Sequence, residues 1–101
     1  MKNLCLFIAV TMLTAGLSFA ADSKPKAGFV PDEKTAIAIA VAVWTPIYGE
    51  KNIQKEKPFK AVLKDGVWQV EGTLPDGALG GVAVAEISKT DARVLRVSHG
   101  K

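Results

Sequence analysis

Residues 59–74 read Phe-Lys-Ala-Val-Leu-Lys-Asp-Gly-Val-Trp-Gln-Val-Glu-Gly-Thr-Leu, and this stretch decides the fold. Asp65-Gly66 stands between two runs rich in Val, Leu and Trp. Asp-Gly in that setting is a strong signal for a type I′ hairpin, whose two central residues both need positive φ. A two-residue loop sets Lys64 opposite Val67. Leu63 then faces Trp68 and Ala61 faces Val70 on one side, while Lys60 faces Glu71 and Val62 faces Gln69 on the other. One face is apolar and the other mostly polar with an opposite-charge pair, as a half-buried hairpin requires. The predicted strands run over Phe59–Lys64 and Val67–Leu74.

A second hairpin is predicted downstream, with strands over Gly81–Lys89 and Arg93–Ser98. Loops of two or four residues would set Glu86 against Leu95 and Ala85 against Arg96, mixing the faces. A three-residue loop, Thr90-Asp91-Ala92, instead sets Ile87 against Leu95, Ala85 against Val97 and Glu86 against Arg96, and separates them. Such a loop ends on a left-handed residue where glycine is favoured. Ala92 occupies that place at a cost of about 1 kcal/mol. Pro75 to Gly81 is rich in turn residues and is read as a mobile connection. Residues 50–57 alternate in charge, with a short strand expected around Asn52-Ile53.

Upstream, residues 32–48 are predicted helical. Asp32 follows Pro31 as an N-cap and Glu33 adds negative charge where the helix dipole favours it. Pro46 disfavours continuation and Gly49 offers a stop. Between them Ala36 to Trp44 is unbroken apolar sequence. Ile37, Ile39, Val41 and Val43 alternate and also fit a strand, so periodicity alone does not decide. Length, and the alanines at 36, 38, 40 and 42, favour helix. A helix resting on an open sheet needs only one apolar stripe. Cover for the second side could come from another copy, a foreign partner or the fold itself.

The N-terminus has the parts of a secretory signal over residues 1–20: Lys2, an apolar run, and small residues Ser18 and Ala20 before Ala21. The run is short for a membrane span. The lone Cys5 is misplaced for lipid attachment. Cleavage would leave residues 21–29 as a flexible leader and 30–101 as one small α+β domain without cysteine, in a periplasmic or secreted setting. No stable membrane insertion is expected after cleavage. Without Lys2, twelve Lys and Arg face ten Asp and Glu, with the signs interspersed. That describes a solvated surface, not a nucleic-acid footprint.

Catalytic chemistry is hard to assemble from this inventory. His99 is the single histidine, and without a partner His or a mature Cys no usual zinc set can form. Ser98 and His99 fall on opposite faces of a continuing strand, so they make no nucleophile–base pair. Gly77, Gly80 and Gly81 lack the Lys-Ser/Thr of a phosphate loop. No cofactor, no metal and no enzymatic activity are expected. Binding features remain. Trp44 and Tyr48 flank the helix break, and aromatics are enriched at interface hot spots, although four apart on a helix both can simply cover the sheet, Trp44 more readily than Tyr48. Lys60, Glu71, Arg96 and His99 complete the candidate partner-binding set with them. Lys51, Lys55, Lys57, Lys60 and Lys64 read more readily as a solvated face than as a docking patch.

Three runs, TAIAIAVAVWTPIYG (35–49), KPFKAVLKDGVWQVEGTLP (57–75) and GGVAVAEISKTDARVLRVSHGK (80–101), together resemble bacterial immunity proteins of the nuclear-transport-factor-2-like fold. The resemblance implies an abbreviated version of that fold, or a cystatin-like one. That means one N-terminal helix packed on an antiparallel sheet of about four strands arranged as two hairpins. It implies a non-enzymatic protein whose partner is a cognate protein toxin, which it binds and neutralises. The family pattern implies an acidic residue at Val41 and a glycine at Ala92, and the chain departs from it at both. Two alternatives stay open: a periplasmic propeptide-like protease inhibitor or sensor module, which the second hairpin also resembles, and a self-associating envelope protein using the apolar helix in a homodimer.

Overall fold

The first hairpin forms in the register that its Asp-Gly turn dictates. In the computed structural model, which describes residues 23–100, strand β1 (Lys60–Lys64) pairs antiparallel with β2 (Val67–Glu71). Lys64 stands opposite Val67, Leu63 opposite Trp68, Val62 opposite Gln69, Ala61 opposite Val70 and Lys60 opposite Glu71. Asp65 and Gly66 take φ of 52° and 78°, the two positive values of the primed turn.

Strands β3 (Ala83–Ser88) and β4 (Val94–His99) complete a four-stranded antiparallel meander in the order β1-β2-β3-β4. Ala85 opposes Val97 and Glu86 opposes Arg96, as expected, but Ile87 opposes Val94 rather than Leu95. Ser88 N–H donates to the Arg93 carbonyl and Ala92 N–H to the Ser88 carbonyl. The loop therefore holds four residues, 89–92, not three. Leu95 is then the extra residue of a bulge between Glu86 and Ile87. The bulge adds back the one-residue offset that a four-residue loop would otherwise impose, so the faces still separate. Ala92 sits at φ 66°, the left-handed place foreseen for it.

Helix α1 (Glu33–Tyr48) starts where Asp32 caps it, the Asp32 carboxylate accepting from Thr35 N–H. Pro46 lies in its last turn, and Gly49, at φ 95°, ends it. Ala36, Ala40 and Trp44 recur every four residues and form the buried stripe on the sheet. Ala61, Trp68, Val70, Ala83, Ala85 and Ile87 meet them from the strands. Small alanines on both layers bring helix and sheet close together. The two tryptophans fill the remaining volume, Trp44 packing on Phe59 with ring centroids 5.7 Å apart. Each indole N–H is satisfied, Trp44 on the Val84 carbonyl and Trp68 on the Val30 carbonyl. A helix over an antiparallel four-stranded sheet is the α+β architecture expected.

The short strand expected around Asn52-Ile53 is instead a single helical turn, α2 (Glu50–Gln54). One apolar residue among polar ones has no alternation to hold a strand. Ile53 is buried in the core, and the turn at Gly49 points it there. The expected secretory signal, residues 1–20, lies outside the described residues. The inner end of the 21–29 leader is tied down. Phe29 and Val30 N–H groups donate to the carbonyls of Thr90 and Lys89, and Lys89 Nζ donates to the Ala27 carbonyl. Gly28, at φ 89°, runs so close to the backbone of Lys89 that no side chain fits there.

Candidate functional site

At the end of the sheet where α1 finishes, three elements converge on one carboxylate. Glu56 follows α2, its N–H bonded to the Ile53 carbonyl. Its own carbonyl accepts from Thr73 N–H, and Thr73 Oγ1 donates to the Pro58 carbonyl, sewing the α2–β1 connection to the end of β2. Glu56 is the one buried charged residue among those described, at 5% exposure. Oε1 accepts from Ala83 N–H at 2.8 Å and Oε2 lies 2.8 Å from His99 Nε2. Gly72 makes room for it, since a Cβ there would overlap Oε1.

His99 is on the core side of β4, opposite Ala83, while Ser98 faces away opposite Val84. Its Nδ1 lies 2.8 Å from the Gly100 carbonyl. A carbonyl can only accept, so Nδ1 donates to it. A carboxylate at Nε2 likewise calls for a donor. An imidazole donating from both nitrogens is an imidazolium. The Gly100 carbonyl first, and Glu56 second, therefore hold the His99 pKa above its ordinary value, against a smaller opposing effect of burial. The Tyr48 ring, last in α1, packs on the imidazole with centroids 5.0 Å apart.

These groups floor an open cavity of about 470 Å³. Asn52 and Lys55 of the α2 region form one wall, and the 74–81 connection forms the other through Leu74, Pro75 and Leu79. Leu79 stands 97% exposed at the lip. Asn52 Nδ2 donates to the Tyr48 carbonyl and fixes the turn between the helices. Among the described residues Lys55 forms no ion pair. Both Glu56 oxygens and both His99 nitrogens are engaged within the protein. The floor is thus built to hold shape and charge, with no ring nitrogen left to take a proton from a bound molecule.

The six residues singled out from sequence separate into three groups. Trp44 belongs to the core, fully buried, because its ring is the largest body filling the helix–sheet layer. Tyr48 and His99 come together at the cavity. Lys60, Glu71 and Arg96 lie on the opposite, solvent-facing side of the sheet. There Arg96 pairs with Glu86 at 3.4 Å, while Glu71 is approached by Gln69 rather than by Lys60. Glu56, Lys55 and Leu79 were not among the residues picked out. Glu56 lies 43 residues from His99 and looks in sequence like one more member of a charged run. The lone histidine is its only pointer. Among the described residues no three of His, Cys, Asp and Glu gather as a metal ion would need. No described helix is long and apolar enough to cross a membrane.

Residues 35–101 match the model of a family described as NTF2 fold immunity protein. Two Escherichia coli (strain K12) proteins are similar over 73 residues: uncharacterized protein YhhH, 36% identical, and uncharacterized protein YbbC, 37% identical. Each match covers 71% of this chain, and the chain spans 58% and 60% of the respective relatives. No solved structure matches the chain.

Proposed function

The chain belongs to the NTF2 fold immunity protein family, and on that premise we propose that it neutralises a cognate bacterial protein toxin by binding it without chemical turnover. The family match carries the reading, and the cavity geometry supports it. A Glu–His pair satisfied entirely from within gives a rigid floor. Around it stand an exposed leucine, a lysine and a tyrosine, the last a residue type enriched at interface hot spots. Neutralisation on this reading is stoichiometric: one copy occupies one toxin molecule and blocks its working surface.

Export is part of the same proposal. The basic start, apolar run and small residues of positions 1–20 support delivery to the periplasm or beyond, where a toxin arriving from a neighbouring cell would be met. Co-expression with the product of the adjacent gene tests the reading. Growth restored, with both proteins recovered in one complex, supports it. A toxic product that still kills and never co-purifies with the chain refutes it.

A further inference from the structure

We propose that the cavity between α2 and the 74–81 connection is the toxin-docking pocket, and that its occupant is a toxin segment carrying a carboxylate beside an apolar side chain. This assignment rests on the immunity reading above and adds to it the surface used and the chemistry it selects.

The argument is one of charge and shape. Glu56 would make an uncompensated floor acidic, but its two oxygens are taken by Ala83 N–H and His99, at 2.8 Å each. What remains at the wall is the ammonium of Lys55, on which no carboxylate of the described residues lies within ion-pair distance. Tyr48 also lines the cavity, and a phenol there can donate to the same guest. Facing these polar groups is an apolar wall. Leu74 is 40% exposed and Leu79 97% exposed, leaving hydrocarbon in water that a partner's apolar side chain would cover. At about 470 Å³ the cavity holds side chains rather than a domain.

The outer end of that wall is held beforehand. Gly81 and Gly100 approach so closely that neither has room for a side chain, which pins the outer end of the connection to the end of β4. Without Lys2 the twelve Lys and Arg exceed the ten Asp and Glu by two, so long-range attraction weakly favours an acidic partner as well. The opposite sheet face also carries lysines, Lys60 and Lys64, beside the exposed Val62, but its hollow is smaller, about 280 Å³, and is lined by Asp65 and Glu86, which repel a carboxylate.

Three capped tripeptides serve as probes: acetyl-Leu-Glu-Phe-amide and its counterparts with Gln or Lys in the centre. They are titrated into the purified chain while backbone amide signals are followed by NMR. The Glu peptide is expected to move Tyr48, Lys55 and Leu79, with the Gln peptide at least fivefold weaker. Lys55→Glu, at an exposed position that leaves the spectrum dispersed, should reverse the preference towards the Lys peptide. Equal binding of Glu and Gln peptides overturns the assignment. So do shifts centred on Val62, Gln69 and Arg96, or peptide-free shifts at the cavity that grow with protein concentration, which would make a second copy the occupant. No toxin enters this experiment, so its failure beside successful rescue removes the pocket alone. Failed rescue removes the toxin reading and the docking role with it.

Discussion

The Glu56 carboxylate meets the His99 imidazole at 2.8 Å and closes the end of the sheet across 43 residues of sequence. It joins the segment after α2 to the last residue of β4, and through Ala83 N–H it also holds the start of β3. Removing that carboxylate strands a buried N–H. Glu56→Ala is expected to destabilise the fold by about 2–3 kcal/mol, in line with an unsatisfied buried donor to a charged group. Urea unfolding of the two proteins side by side measures it, and a difference within error would mean the carboxylate is dispensable.

His99 makes stability depend on pH in a definite direction. Its folded pKa is raised, chiefly by the Gly100 carbonyl and then by Glu56. The stabilisation is therefore fully present below the unfolded value of about 6.5 and fades as pH rises through the folded one. Melting temperature should fall across that window from near neutrality upwards, and His99→Gln should flatten the slope. A pH-independent melting temperature in the unaltered chain would contradict the double-donor geometry.

Glu56→Gln separates charge from packing. The amide keeps an oxygen for Ala83 N–H but withdraws the negative partner from His99. The His99 ring resonances should then titrate at lower pH than in the parent protein. An unchanged midpoint would leave the Gly100 carbonyl as the sole cause of the shift.

At Ala92 the backbone sits at φ 66°, a conformation that costs a residue with a Cβ about 1–2 kcal/mol. Ala92→Gly should stabilise the chain by up to about 1 kcal/mol, less a little for the lost methyl contact and the freer unfolded chain. Gly28→Ala should do the reverse, since its Cβ would press into the Lys89 backbone at a positive φ. Paired thermal melts of the two variants check both signs.

What sequence could reveal followed the range of the interaction. The first hairpin was legible in its turn and register because Asp65-Gly66 and the alternation beside it are local, although β2 ends at Glu71 rather than at the expected Leu74. Helix α1 was legible from Asp32 to Gly49. The second hairpin was legible in its face separation and not in its loop. A three-residue loop and a four-residue loop with a bulge at Leu95 give the same Ala85–Val97 pairing, so patterning cannot choose between them. At Ile53 local polarity suggested a strand, and burial against α1 and the sheet made a helical turn instead. The candidate site was half visible. Tyr48 and His99 could be singled out by type, but Glu56 and Leu79 acquire their meaning only when strands distant in sequence are brought to one end.

If, as proposed, this chain silences a toxin by occupying it, inhibition is stoichiometric. Toxin activity measured in vitro against increasing amounts of purified chain addresses that directly. Activity should fall linearly to zero at one equivalent, with the complex eluting as a single species. Activity that persists past several equivalents, or inhibition by far less than one, would contradict that proposal.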